Sequence, residues 1–215
     1  MGKNPLKKRP ANKLTIVILG DGGVGKSSIT LKFIKSRVYH SNYSNTTIDD
    51  SYTITVKIDD TPWQIEILDT AGQEEYRGLW VDHAISQGDA FIVTYAVNST
   101  KSFRALPAFL NLIANPKSAS HGFRHRPDSD THLVPHPRDY PFPFAIAGNK
   151  VDLSEYRAVP TSEAVSLANS TGGLFYECSA KENINIQELF FDLARSVEKL
   201  RKAAVVHRQN PTISK

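Results

Sequence analysis

The stretch from Leu14 to Ile34 constrains the fold more than any other. LTIVIL (14–19) is apolar and β-branched at nearly every position, it runs into a glycine-rich turn, and Ile29, Leu31, Phe33 and Ile34 then follow at helical spacing. A strand that is apolar along its whole length is covered on both faces, which calls for a parallel sheet lying between helices. The rest of the chain keeps the same rhythm. Residues 51–58 and 61–68 alternate around Asp59-Asp60 and read as an antiparallel hairpin. Residues 90–96, 144–147 and 174–178 read as buried strands, with helical patterns at about 101–114, 161–170 and 186–202. In the last helix Ile186, Leu189, Phe190, Leu193, Val197 and Leu200 share one face, and Asn185 stands as an N-cap three residues before Glu188. The expected architecture is α/β: a six-stranded, mostly parallel sheet with one antiparallel edge hairpin strand and about five helices on its two faces.

At 215 residues this is one domain with a full core, read here as residues 14–203, between a basic N-terminal tail (1–13) and a C-terminal tail (204–215). No apolar run is long enough to span a bilayer, and no secretory signal pattern opens the chain. The single cysteine, Cys178, excludes disulfide scaffolds and cysteine-rich metal sites. The net charge of +4 is uneven. Residues 1–13 carry five bases and no acid, and residues 195–215 carry six bases against Glu198, which leaves −6 on the body. No nucleic-acid face is therefore implied; such tails suit solubility or attraction to an anionic membrane surface. Residues 115–143 hold six of the twelve prolines and four of the seven histidines without any period, and read as an insert projecting from the domain. Its pairs His121/His125 and His132/His136 have a spacing that seats a metal on a helix, but the prolines argue against a helix here.

The turn after the first strand is Gly20-Asp21-Gly22-Gly23-Val24-Gly25-Lys26-Ser27, which satisfies GxxxxGK[ST] in the strand-to-helix setting that the pattern requires. Such a loop wraps backbone N–H groups around phosphate oxygens, with Lys26 as the cation and the Ser27 hydroxyl as a Mg²⁺ ligand. The class implied is a P-loop NTPase. Asp69-Thr70-Ala71-Gly72-Gln73 follows the 61–68 strand, placing a carboxylate where it can hold Mg²⁺ and a bare Gly72 N–H where it can meet a γ-phosphate. Asn149-Lys150-Val151-Asp152 follows the 144–147 strand. There the Asp152 carboxylate can accept both the N1–H and the 2-amino group of guanine, a donor pair that adenine lacks. Ser179, Ala180 and Lys181 follow the sixth strand and can close the base pocket from its other side.

With GDGGVGKS, a threonine in TTIDDSY, DTAGQE, NKVD and ECSAK in this order, the chain resembles the Ras-like small GTPases over about residues 14–200 apart from the insert, and is most similar to the Ras subfamily. The resemblance implies a GDP/GTP switch using Mg²⁺. Nucleotide contacts would come from Gly20, Asp21, Gly22, Gly23, Val24, Gly25, Lys26, Ser27, Ser28, Tyr39, Thr47, Gly72, Asn149, Lys150, Asp152, Ser179, Ala180 and Lys181. Ser27, Thr47 and Asp69 would serve the metal. Gln73 would orient the attacking water, with Lys26, Thr47 and Gly72 completing the catalytic set. Ile48, Asp49, Asp50, Ser51 and Tyr52 would form the effector segment, and residues 73–83, with Tyr76, Leu79 and Trp80, a second switch.

The implied partners are an exchange factor, an activating protein that supplies an arginine, and effectors, acting on a cytoplasmic monomer with the inner face of the plasma membrane as its expected site of attachment. The family pattern is not followed throughout. Thr46 stands where many members have proline, Ser44 where a tyrosine is expected, and the end of this chain offers no cysteine for prenylation. Two further readings stay open at this point: a module that binds GTP or GDP with negligible turnover, and a P-loop ATPase or nucleotide kinase, which the NKVD motif disfavours.

Overall fold

The computed structural model describes residues 12–36, 43–44, 51–70, 79–114 and 140–209. Strand β1 (Lys13–Gly20) leads through the glycine loop into helix α1 (Lys26–Lys35). Then come β2 (Tyr43–Ser44), β3 (Ser51–Ile58), β4 (Thr61–Asp69), α2 (Leu79–Gln87), β5 (Ala90–Ala96), α3 (Thr100–Arg104) and α4 (Leu106–Ala114). The chain closes with β6 (Phe144–Asn149), a 3₁₀ turn (Val151–Tyr156), α5 (Thr161–Thr171), β7 (Leu174–Glu177) and α6 (Ile186–Gln209). The sheet order is β2-β3-β4-β1-β5-β6-β7, parallel from β4 to β7, with β3 antiparallel to both of its neighbours.

β1 is central and shows why its sequence is unbroken. Ile16 and Ile18 enter the core shared with Ile29 and Phe33 of α1 and Phe190 of α6, where Phe33 stacks on Phe190 at 4.0 Å. Val17 and Leu19 enter the opposite core with Leu106 and Leu110 of α4. Both faces are dry, so alternation cannot appear. In β3 alternation does appear: Ile54, Val56 and Ile58 are buried while Thr55 and Lys57 are exposed. The hairpin turns at Asp59 (φ 47°) and Asp60 (φ 66°), the positive pair that a tight two-residue turn requires. Arg195 of α6 grips the Asp59 carboxylate with two nitrogens at 2.7 Å, and Lys57 pairs with Asp60 at 2.7 Å.

The six expected strands are present, and the structure adds a seventh, the two-residue β2, so that β3 lies one strand in from the edge. The helix expected over 101–114 is two, because Pro107 lacks the N–H that a continuous helix would donate to Phe103. Ser99 caps the first, accepting from the Ser102 N–H at 3.2 Å. Asn185 does not cap α6 as an extended residue: its φ is 54° and its side-chain amide donates to the Glu177 carbonyl at 2.7 Å, because Ser179 and Ile184 pair across the preceding loop. α6 continues to Gln209, six residues into the stretch read as tail. Within that helix Arg201 donates to the Lys13 carbonyl at 2.9 Å and pairs with Asp89 at 3.2 Å, tying the segment to the body.

The expected insert is shorter than its proline content suggests. Tyr140 and Phe142 pack on the second core, Phe142 meeting Phe91 edge-on at 5.7 Å and Tyr140 tilting against Phe144 at 4.5 Å. Residues 115–139, with both histidine pairs, lie outside the described residues.

Candidate functional site

The C-terminal ends of β1, β4, β5, β6 and β7 gather at one end of the sheet, and every described motif sits there. In the β1–β4 register Ile18 lies beside Asp69, the last residue of β4, which is 2% exposed. On the other side of β1, Gly20 lies beside Thr94 of β5. The glycine loop leaves the sheet between these two strand ends. Gly25 caps α1 at φ 96°, ψ 30°, a left-handed conformation open to a residue without a Cβ. The Asp21 carboxylate accepts from the Gly22 N–H at 2.9 Å and so turns its charge onto the loop itself. Lys26, the first residue of α1, is 6% exposed, and its ammonium donates to the carbonyls of Gly20 and Asp21, both at 2.8 Å. The loop thus encircles its own cation. Ser27 is half-buried and Ser28 exposed in the first turn of α1.

The base side is held by Asn149 at the end of β6, which is 2% exposed. Its amide nitrogen donates to the Val24 carbonyl at 2.9 Å, and its oxygen accepts from the Ala180 N–H at 3.2 Å, with the Cys178 thiol at 3.9 Å. One side chain therefore joins the loop after β1 to the segment after β7. Lys150 adopts φ 69° and reaches the Gly23 carbonyl at 2.6 Å, a second link between the same two motifs. The Ser179 hydroxyl donates to the Asp152 carboxylate at 2.5 Å, leaving that carboxylate with lone pairs for two more donors. Ser179 also receives the Glu182 N–H at 3.0 Å, so its rotor is set from both sides. Lys181 is exposed and pairs loosely with Glu182 at 3.5 Å.

Beneath the pocket, Arg157 donates two nitrogens to the Glu177 carboxylate at 2.6 and 3.0 Å, and Thr161 adds a third bond at 2.9 Å. The bond to Glu177 holds the guanidinium above its usual range. Burial pushes the Cys178 thiol up to about 12, with the Glu177 charge adding to it, so that it remains a neutral, unreactive SH at physiological pH. The Tyr95 phenol is also raised, by burial first and by Glu177 second. It packs under Gly148, and its hydroxyl meets no partner among the described residues.

Of the expected site residues, the structure brings together the loop 20–28, Asp69, Asn149, Lys150, Asp152, Ser179, Ala180 and Lys181. Ser51 and Tyr52 open β3, facing Leu68 and Ile67 of β4. Tyr39, Thr47, Ile48, Asp49, Asp50, Gly72, Gln73 and Tyr76 lie outside the described residues. Leu79 and Trp80 begin α2. No local pattern signals the Arg157–Glu177–Thr161 clamp or Asn149 as a tie, since both join segments that only the strand order of β1, β6 and β7 brings together. Thr70 carries no local signal either: its hydroxyl donates to the Ile18 carbonyl at 2.7 Å, a contact set by the β1–β4 register, and fixes the chain just after Asp69.

A strand-loop-helix that encloses a lysine at the C-terminal end of a parallel sheet, tied to an NKxD turn on the far side, defines a P-loop domain of the small G-domain class. Comparison with known proteins agrees with that class. A sequence model of the Ras family matches residues 15–199. The chain is similar to Ras-like protein B of Aspergillus fumigatus, at 36% identity over 192 residues, covering 87% of this chain and 78% of that one. It is also similar to Ras-like protein rasC of Dictyostelium discoideum, at 37% identity and 86% and 87% coverage, and to human Ras-related protein R-Ras, at 36% identity and 87% and 75% coverage. The chain belongs to the Ras family.

Proposed function

We propose that this chain binds GTP and GDP with Mg²⁺ and hydrolyses GTP to GDP and phosphate as a switch in intracellular signalling, with residues 14–203 as its G domain. Membership of a family of GTPase switches supports the general activity. The observation that carries the reading is Asn149, a buried side chain that joins the phosphate loop at Val24 to the base-side segment at Ala180, so that both halves of a nucleotide would be held by one rigid unit.

The donor set at the loop suits a hard divalent cation: the Ser27 hydroxyl and the buried Asp69 carboxylate, with Thr47 as the third protein ligand. The cation would neutralise charge between the β- and γ-phosphates. Lys26 exchanges its two carbonyl partners for phosphate oxygens, and the N–H groups of the loop and of Gly72 stabilise charge on the transferring phosphoryl group. Gln73 orients the water. Asp152 selects guanine, because adenine would leave this carboxylate facing no donor pair. Arg157 is committed to Glu177, and an activating protein supplies the missing arginine, worth about 10³–10⁵ in rate. An exchange factor releases GDP, effectors read Ile48, Asp49, Asp50, Ser51 and Tyr52, and the cytoplasmic monomer meets an anionic membrane surface through its basic tails.

Single-turnover hydrolysis of γ-labelled GTP tests the enzyme reading. Slow, Mg²⁺-dependent phosphate release that fails in Gln73→Leu is expected. GTP that stays bound and intact would replace the switch with a nucleotide-locked module.

A further inference from the structure

The β3–β4 hairpin overhangs the sheet. β1 begins at Lys13 opposite Gln64, so Thr61, Pro62 and Trp63 extend past it and pair with β3 alone. Pro62 has no N–H to offer a neighbour on that side, and it holds the residue before it in an extended backbone. It is also the only one of the twelve prolines that follows a serine or a threonine. A kinase that reads an extended Ser/Thr-Pro pair therefore has one place to act on this chain. Lifting Thr61 out of the tip breaks a single strand pair, Ile58–Thr61, beside the two-residue turn.

Alternation along β4 sets the half-buried Thr61 on the face of Trp63 and Ile65, toward α6. There it lines a polar cavity of about 190 Å³ with Arg195, Glu198 and Lys202, several times the roughly 30 Å³ share of one water. Every cation at this tip is matched to a carboxylate: Lys57 to Asp60 at 2.7 Å, Lys202 to Glu198 at 2.8 Å, and Arg195 to Asp59 at 2.7 Å and to Asp192 at 2.6 Å. A new anion on the Thr61 hydroxyl finds no spare cation and has to take one. The Arg195–Asp59 pair is the one to yield, because its side chains are 44% and 62% exposed and such pairs are weakly held. A phosphate carries about −1.5 to −2 charges and three acceptor oxygens, and so outcompetes a carboxylate for a guanidinium.

We propose that Thr61 is a phosphorylation site for a proline-directed Ser/Thr kinase, and that its phosphate draws Arg195 off Asp59, so that α6 holds the hairpin by β4 rather than by the turn. In the transfer the Thr61 Oγ attacks the γ-phosphorus of the kinase's Mg²⁺-bound ATP. The new O–P bond forms as the bond to the β-phosphate oxygen breaks, the hydroxyl proton passes to the kinase's catalytic aspartate, and ADP leaves. None of the nucleotide motifs is touched, so GDP stays bound.

The test uses the full chain with bound GDP, Mg²⁺-ATP and two purified proline-directed kinases, one cyclin-dependent and one mitogen-activated, with peptide mass spectrometry to place the phosphate. One phosphate at Thr61 of the folded protein is expected, kept in Thr61→Ser and lost in Pro62→Ala, which retains the acceptor; bound GDP shows that each variant is folded. Phosphorus NMR then reads the new contact. The second pKa of the phosphate, about 6 in an unstructured chain, should lie lower in the parent than in Arg195→Gln, since a guanidinium favours the dianion. No phosphate at Thr61 with either kinase, phosphate that appears only after denaturation, or equal labelling of Pro62→Ala overturns the site. Identical titrations with and without Arg195 overturn the exchange of partners.

Discussion

Two glycines of the phosphate loop allow conformational cost to be separated from packing. Gly23 and Gly25 both have positive φ, 71° and 96°, so alanine at either position incurs the left-handed penalty of about 1–2 kcal/mol. Their surroundings differ. A Cβ on Gly23 meets nothing within 4 Å, whereas one on Gly25 would lie 2.3 Å from the amide nitrogen of Asn149. That nitrogen would have to move, breaking its 2.9 Å bond to the Val24 carbonyl and leaving two groups unpaired at residues only 2% and 1% exposed. Each such group costs about 1–3 kcal/mol. Gly23→Ala should therefore lose about 1–2 kcal/mol and Gly25→Ala roughly 3–8 kcal/mol. Urea unfolding of the nucleotide-free proteins, with release of a fluorescent GDP analogue measured in parallel, reads both consequences. Gly25→Ala should also release the analogue much faster, since Asn149 no longer joins the loop to Ala180. Equal destabilisation of the two variants would refute the argument that Asn149 is the tie.

Three other outcomes follow from the same geometry. Tyr95→Phe removes a buried hydroxyl with no partner among the described residues and should stabilise the protein by about 1 kcal/mol, raising Tm by roughly 2–4 °C; a lower Tm in calorimetry would mean that the hydroxyl is bonded. The Cys178 thiol, raised from 9.0 to about 12, keeps its proton in the folded state when the unfolded chain has already lost it. Stability is therefore fully present below about 9 and falls as pH rises, by about 1.4 kcal/mol at pH 10. Urea unfolding at pH 7.5 and 10 should show a larger drop for the parent than for Cys178→Ser, and identical drops would count against the burial argument. Asp152→Asn replaces an acceptor pair by one donor and one acceptor, which matches xanthine rather than guanine; titration with GDP and XDP should show the preference reversed, and unchanged GDP affinity would remove Asp152 from the base pocket.

Much of this was legible in the residues because period and punctuation carry it. The continuous run of β1 and the alternation of β3 and β4 reflect burial on two faces and on one, and Asp59-Asp60 marked the turn. The loop from Gly20 to Ser27 is readable because each residue type has a separate chemical task along one contiguous stretch. Contacts between distant segments are different in kind. That Asn149 meets both Val24 and Ala180, 125 and 31 residues away, follows from strand order and register, which leave no local pattern. The proline-rich stretch misled at its end, where Tyr140 and Phe142, half-buried between prolines, pack against the core and composition outweighed two aromatics. α6 runs past its expected end at 202 to Gln209, since no proline or glycine interrupts the chain before Pro211.

The most direct test of the central claim is to denature the purified protein and identify by chromatography what it releases. One equivalent of guanine nucleotide, recovered as GDP, is the expected result: a pocket selective for guanine that hydrolyses GTP and holds the product. An adenine nucleotide, or no nucleotide from protein purified with Mg²⁺ present throughout, would contradict the guanine switch.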